Sequence, residues 1–176
     1  MKNLIGIIVL LAGNMGATVI AAASTDAKLA FATGLGADQT INYATQDLRE
    51  RIKEITGGNG VDVVYDPVGG PFTEPALRSL AWKGRFLVIG FAAGEIPRIP
   101  INLALLKGAS IVGVFFGAFS KREPEVQREN VAELWQMFEA ERLKATVGET
   151  HELVDYARAF EALEQRRARG KVVIRI

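Results

Sequence analysis

The sequence predicts an α/β fold: a Rossmann-like, doubly wound and mostly parallel sheet with an atypical or antiparallel first strand. From residue 17 onward, short apolar runs alternate with amphipathic segments of helical period, which is the pattern of repeated strand–helix–strand units. The predicted strands are apolar along nearly their whole length, as strands covered on both faces are. At 176 residues, the chain is expected to form one domain over residues 1–176, with residues 1–15 as an atypical N-terminal segment.

Composition excludes several classes of function. The chain has 21 Lys and Arg against 20 Asp and Glu, without the basic excess of a nucleic-acid-binding surface. It has no cysteine, and His151 is its one histidine, so we expect neither disulfides nor a metal site. The apolar run at 4–12 is shorter than the roughly 20 residues that span a bilayer. We therefore expect no nucleic-acid or membrane partner, and an organic cofactor if there is one.

The first 25 residues resemble a secretory signal peptide. Lys2, the apolar run at 4–12 and the A-x-A pattern at 21–23 are its three parts. Cleavage after that pattern would remove all of residues 17–23, which are predicted to form a strand of the sheet. We therefore favour an uncleaved, cytoplasmic protein.

The run at 4–12 leaves two architectures open. It can be a helix that ends directly before Gly16, or a strand that the turn at 13–16 joins to the next strand. Four residues are too few for a parallel crossover, so such a strand would be antiparallel to its neighbour. Its all-apolar, β-branched character favours the strand.

The other elements follow from periodicity and end signals. Ser24 or Thr25 caps the first helix after this region, and Gly34 or Gly36 ends it. Asp47 followed by Glu50 resembles a capping box. The long helix at 123–142 is expected to bury Val126, Val131, Leu134, Phe138 and Leu143. Strands are predicted at 17–23, 37–43, 61–66, 84–91, 109–116 and 171–176, and helices at 25–36, 45–58, 71–81, 101–106, 123–142 and 154–167.

Four loops are candidates for a binding site. In doubly wound sheets, ligands bind beyond the carboxyl ends of the strands. The loops at this position are small, glycine-rich or aromatic, namely residues 21–28, 66–70, 89–94 and 114–119. Four such loops in one place predict a ligand cleft.

The tip of the strand at 17–23 favours NADPH over NADH. NAD sites usually place Asp or Glu at this strand end to hold the ribose 2′-hydroxyl, whereas here Ala23 is followed by Ser24 and Thr25. Their hydroxyls can donate to a 2′-phosphate, and Lys28, one turn into the helix, can pair with it.

Residues 16–70, 84–119 and 170–176 closely resemble the cofactor domain of medium-chain dehydrogenase/reductases, in the zinc-free NADPH:quinone oxidoreductase (zeta-crystallin-like) branch. The likeness extends over residues 16–176. It implies NADPH-dependent reduction of a quinone or an activated carbonyl or enone by direct hydride transfer. We assign no catalytic residue and no metal ligand.

The resemblance also implies roles for particular residues. Lys28 and Tyr43 match the adenosine 2′-phosphate side, and Ser24 and Thr25 match the ribose-phosphate loop. In the family, two further loops run along the cofactor toward the nicotinamide, and they match Val68, Gly69, Gly90 and Phe91. The segment that meets the nicotinamide amide matches Phe115 and Phe116. A homodimer is implied through the edge strand from Ala109 to Phe116, which would otherwise leave a long apolar edge bare.

The chain departs from the family in two respects. The N-terminal GroES-like catalytic domain is missing, and residues 1–16 contain no G-x-G-x-x-G turn. In the family, a glycine-rich turn leads into the helix whose N-terminus holds the pyrophosphate. A second hypothesis is therefore a truncated or engineered fragment that only folds or dimerises, with weak or no cofactor binding.

Overall fold

The computed structural model describes residues 5–165, 167–168 and 170–176, without the side chains of residues 5–7. It confirms the α/β class, and all strand pairs in these ranges are parallel. The helices are α1 (Ile5–Asn14), α2 (Asp26–Gly34), α3 (Leu48–Ile55), α4 (Thr73–Arg78), α5 (Asn102–Lys107), α6 (Phe116–Arg122), α7 (Pro124–Glu139) and α8 (Tyr156–Glu164). The strands are β1 (Ile20–Ala23), β2 (Gln39–Asn42), β3 (Val61–Asp66), β4 (Leu80–Val88), β5 (Ser110–Gly113), β6 (Val147–Glu152) and β7 (Lys171–Arg175). Short 3-10 turns occupy Gly70–Phe72 and Leu153–Asp155.

The chain divides into two compact units. The first comprises Met1–Ala44 and Arg128–Ile176, and the second comprises Thr45–Gln127. The first unit holds the parallel pairs β1–β2 and β6–β7, and the second holds a three-stranded sheet in the order β3–β4–β5. The single domain over residues 1–176 stays a prediction.

The favoured antiparallel first strand is wrong, because the apolar run forms helix α1. The glycine that was interpreted as part of a turn ends this helix: Gly16 has a φ of +80°. Its N–H donates to the Gly13 carbonyl at 2.9 Å, and the Ala17 N–H donates to the Ala12 carbonyl at 3.0 Å. This pair of bonds is a Schellman motif, the common way in which a glycine in the left-handed region stops a helix.

Burial explains why α1 lacks the amphipathic period of a surface helix. Val9 is buried against Ala21 of β1 and against Ala32 and Ala37, at and beyond the end of α2. A short all-apolar run fits a buried helix as well as a buried strand, and periodicity cannot separate the two. The helix alternative is therefore the correct one.

Replacing Val9 with alanine tests the packing of α1. Val9 is 3% exposed, and removing its two methyl groups should lower the free energy of unfolding by about 1.5 kcal/mol. Met15→Ala removes a longer side chain that is 80% exposed, and should change it by less than about 0.5 kcal/mol. Urea unfolding of both variants measures the difference, and equal effects would contradict a packed α1.

The second unit follows the sequence prediction closely. Asp47 caps α3, with its Oδ1 accepting from the Glu50 N–H at 2.9 Å. The core lies around Leu77 of α4 and Leu80 and Phe86 of β4. Because β4 pairs in parallel with both β3 and β5, the loops that follow these three strands leave the same edge of the sheet.

Three further expectations are corrected. The strand predicted at 109–116 is the shorter β5, because Phe115 leaves the extended conformation (φ −98°, ψ 81°) and Phe116 begins α6. Residues 147–152, for which no strand was predicted, form β6, because their backbone pairs with β7 although few of them are apolar. On α7 the buried residue is Met137, while Val126, Val131, Leu134 and Phe138 are exposed.

In the part of the chain that the structure describes, each helix is too short or too polar to cross a lipid bilayer.

Candidate functional site

The ends of β1 and β2 bring predicted site residues together in the first unit. Ser24 and Thr25 follow β1, and Tyr43 follows β2. The two strands are parallel, with Ala23 opposite Asn42, and the Tyr43 N–H donates to the Ala23 carbonyl at 3.1 Å. The hydroxyl-bearing tip of one strand therefore lies beside the aromatic residue at the end of the other.

Lys28 reaches the same tip from the first turn of α2. Thr25 is the N-cap residue, and its carbonyl accepts from the Lys28 N–H at 3.1 Å. The Thr25 side chain makes no capping hydrogen bond. Lys28 is half-buried and takes part in no ion pair among the described residues. The strand end thus carries one unneutralised cation.

Sequence reasoning missed a carboxylate at this tip. Asp26 begins α2, and its Oδ1 accepts from the Asn42 side-chain amide at 2.7 Å. A carboxylate near this position is the group that holds a ribose 2′-hydroxyl in NAD sites, and it repels a 2′-phosphate. The signal was present in the sequence, two residues after Ser24. The preference for NADPH or NADH therefore depends on whether the attraction of Lys28 for the 2′-phosphate exceeds its repulsion by Asp26.

In the second unit, Asp66 organises the loop that follows β3. Its Oδ1 accepts from the backbone N–H groups of Val68 and Gly69, each at 2.9 Å. Its Oδ2 accepts from the Thr73 hydroxyl at 2.9 Å, and Thr73 is 5% exposed. Sequence reasoning did not single out Asp66 or Thr73, because only the fold shows their contact.

This loop is joined to the loop that follows β4. The N–H groups of Ala92 and Ala93 donate to the carbonyls of Pro67 and Val68, at 3.1 and 2.8 Å. These bonds bring the predicted residues Val68, Gly69, Gly90 and Phe91 together. Gly69 has a φ of +67° and a ψ of −152°, a region open only to glycine. A Cβ there would lie 2.9 Å from Phe91 Cδ1, so glycine is required on both counts.

A small apolar cavity lies on the inner side of this loop pair. Its volume is about 150 Å³, the size of an engineered cavity that binds benzene. Phe91 forms one wall, and Asp66 and Thr73 are its polar neighbours. The remaining lining residues are Phe86, Val88, Ile96, Pro97, Ile99 and Ile111.

Phe115 and Phe116 follow β5, at the same sheet edge as these loops. Their exposed fractions are 79% and 63%, so neither is a core residue in the described structure. The Phe116 ring is 6.5 Å from that of Phe119, centroid to centroid. Two exposed aromatic rings at the carboxyl edge are available to a ligand, and their role stays a prediction.

Burial raises the pKa of Tyr65, next to Asp66, above its usual value of 10.0. In the first unit, His151 of β6 is half-buried, with its Nε2 3.2 Å from Glu149 Oε2. Within the described ranges, no group of three or more His, Asp and Glu side chains could hold a metal ion.

Parallel strands that alternate with helices define a doubly wound α/β class, whose ligands bind at the loops beyond the carboxyl ends of the strands. Residues 5–139 match the zinc-binding dehydrogenase family. The match extends over most of the chain, and the protein belongs to this family.

Individual relatives show which proteins within the family this chain is similar to. The quinone oxidoreductase-like protein 2 homolog of Nematostella vectensis is 37% identical over 165 residues, covering 93% of this chain and 45% of the relative. The 2-haloacrylate reductase of a Burkholderia species is 34% identical over 165 residues, covering 93% of this chain and 49% of the relative. The crystal structure of Escherichia coli quinone oxidoreductase complexed with NADPH superposes with a TM-score of 0.83 at 31% identity, covering 97% of this chain and 53% of that one. The chain thus spans about half the length of the relatives it matches.

Proposed function

We propose that this chain is the cofactor-binding part of an NADPH-dependent oxidoreductase that reduces a quinone or an activated carbonyl or enone. The observation that carries the proposal is the strand-end group of Ser24, Thr25, Lys28 and Tyr43, which gathers two hydroxyls, a cation and an aromatic ring at one sheet edge. The relatives support it, since their names include quinone oxidoreductases and a reductase of 2-haloacrylate. One related structure holds NADPH.

Two groups of residues would contact different parts of the cofactor. Lys28 and Tyr43 would hold the adenosine 2′-phosphate, with Ser24 and Thr25 donating hydroxyl hydrogen bonds to the ribose-phosphate. In the second unit, Val68, Gly69, Gly90 and Phe91 would line the path to the nicotinamide, and Phe115 and Phe116 would meet its amide. NADPH supplies the hydride, so the residues bind and orient, and none is proposed as a catalytic acid or base.

A second candidate function is a folding or dimerisation module with weak cofactor binding. The observation that favours it is the apolar edge at and beyond β5, where the side chains of Val112 and Val114 are exposed. A homodimer through residues 109–116 is part of both proposals. It is supported by the exposed apolar side chains at and beyond β5, Val112 and Val114 among them. A zinc-free site and a cytoplasmic location also stay predictions.

Titration with NADPH and with NADH, followed by thermal unfolding, separates the two candidate functions. A cofactor present at 100 times its Kd stabilises the folded state by about 2.7 kcal/mol. We expect 1 mM NADPH to raise the Tm clearly, and the same concentration of NADH to raise it less. An unchanged Tm with NADPH would favour the folding or dimerisation module.

A further inference from the structure

The loop from Pro67 to Gly70 looks like a phosphate cradle. It is glycine-rich, follows a parallel strand, and turns backbone N–H groups toward a common point; loops of this kind bind phosphate in many nucleotide sites. In this chain, the common point is occupied by the side-chain carboxylate of Asp66. The Asp66 Oδ1 accepts from the N–H groups of Val68 and Gly69 at 2.9 Å each.

We propose that Asp66 and Thr73 are the positioning pair of this loop, and that they adapt it to the reduced nicotinamide ring of the cofactor, which is uncharged, instead of a phosphate. The proposal rests on the function proposed above. A phosphate at the two N–H groups would have to displace a carboxylate that lies two and three residues before them in the chain. It would also lie next to that negative charge.

Thr73 closes the loop at its far end. Its hydroxyl donates to the second carboxylate oxygen of Asp66 at 2.9 Å, and its 5% exposure protects this bond from competition with water. Both oxygens of Asp66 therefore have protein donors. The carboxylate therefore holds the two ends of the loop together through these hydrogen bonds.

The position of this loop determines the position of Phe91. The N–H groups of Ala92 and Ala93 bind the carbonyls of Pro67 and Val68, so the loop after β4 follows the loop after β3. Gly69 approaches so closely that an added Cβ would lie 2.9 Å from the Phe91 ring. Loss of the Asp66 contacts should therefore displace the aromatic wall proposed to line the nicotinamide path.

Two substitutions of Asp66 test the pair. Asp66→Ala removes all three contacts. Asp66→Asn retains them, because its Oδ1 accepts from the same two N–H groups and its Nδ2 can donate to the Thr73 oxygen. We expect Asp66→Ala to weaken NADPH binding about tenfold, and Asp66→Asn by less than about threefold. Adenosine 2′,5′-bisphosphate, which lacks the nicotinamide half, should bind the wild-type chain and both variants equally.

Amide hydrogen exchange provides a readout that needs no cofactor. Exchange at Ala92 and Ala93 should be faster in Asp66→Ala than in the wild-type chain, and unchanged in Asp66→Asn. Unchanged exchange in Asp66→Ala would overturn the proposal. Equal losses of affinity for NADPH and for the bisphosphate would also overturn it, because Asp66 would then only support the fold.

Failure of the proposed function gives a different result. If the wild-type chain binds neither NADPH nor adenosine 2′,5′-bisphosphate, the cofactor assignment is wrong. The exchange rates alone then test whether Asp66 and Thr73 position the loop. Faster exchange confined to Asp66→Ala supports the pair, and identical rates in the three proteins contradict it.

Discussion

Replacing Lys28 with alanine is expected to weaken NADPH binding about thirtyfold and to leave NADH binding nearly unchanged. Lys28 is a half-buried residue in the first turn of α2, three residues after Thr25 at the tip of β1. A charged hydrogen bond to a 2′-phosphate contributes about 1.5–3 kcal/mol, and NADH lacks that phosphate. Isothermal titration of both cofactors measures the two changes separately.

Two further variants serve as controls for this result. Lys144→Ala removes the same charge from an exposed position, and should leave both affinities unchanged. Asp26→Asn should act in the opposite direction on NADPH, because it removes a repelling charge and keeps an oxygen for the Asn42 amide. An equal loss of NADPH and NADH affinity in Lys28→Ala would show that Lys28 does not contact the 2′-phosphate.

The second large effect is expected at Gly60, where the chain enters β3. Gly60→Ala should lower the free energy of unfolding by about 3 kcal/mol. The residue has a φ of +84°, and an added Cβ would lie 2.6 Å from the Ser79 carbonyl oxygen and 2.7 Å from the Ala81 nitrogen. Both are backbone atoms at the start of β4, so relief requires the two strands to move apart.

Gly58 provides a matched control two residues earlier. Its φ is +88°, and an added Cβ would meet nothing within 4 Å. Gly58→Ala should therefore show only the cost of the left-handed conformation, about 1 kcal/mol. Urea unfolding of both variants isolates the steric contribution. Equal losses of stability would contradict the close approach of β3 and β4 at Gly60.

Local signals predicted those parts of the fold that depend on neighbouring residues. The capping pair Asp47 and Glu50 marked the start of α3, and Gly36, with a φ of +97°, supplies the left-handed residue after α2. The run at 4–12 contained no local signal that separates a helix from a strand, since a buried helix and a buried strand are equally apolar. The stop signal at Gly16 was visible, but a glycine ends helices and turns alike.

The candidate site was predictable where its residues lie at strand ends. Ser24, Thr25 and Tyr43 needed only the rule that parallel strands end at one edge. Asp66 and Thr73 could not be found in this way, because their contact depends on how the loop folds back on α4. The exposure of Phe116 was missed for a related reason, since helix α6 begins where the strand was expected to continue.

NADPH is proposed to bind at the residues that follow the carboxyl ends of the parallel strands. The most direct measurement is a set of backbone amide chemical shifts during an NADPH titration of the isotope-labelled chain. We predict saturable shifts at Ser24, Thr25, Lys28 and Tyr43, and at Val68, Gly69, Gly90 and Phe91. The absence of shifts at both groups at millimolar NADPH, or saturable shifts confined to other surfaces, would contradict the claim.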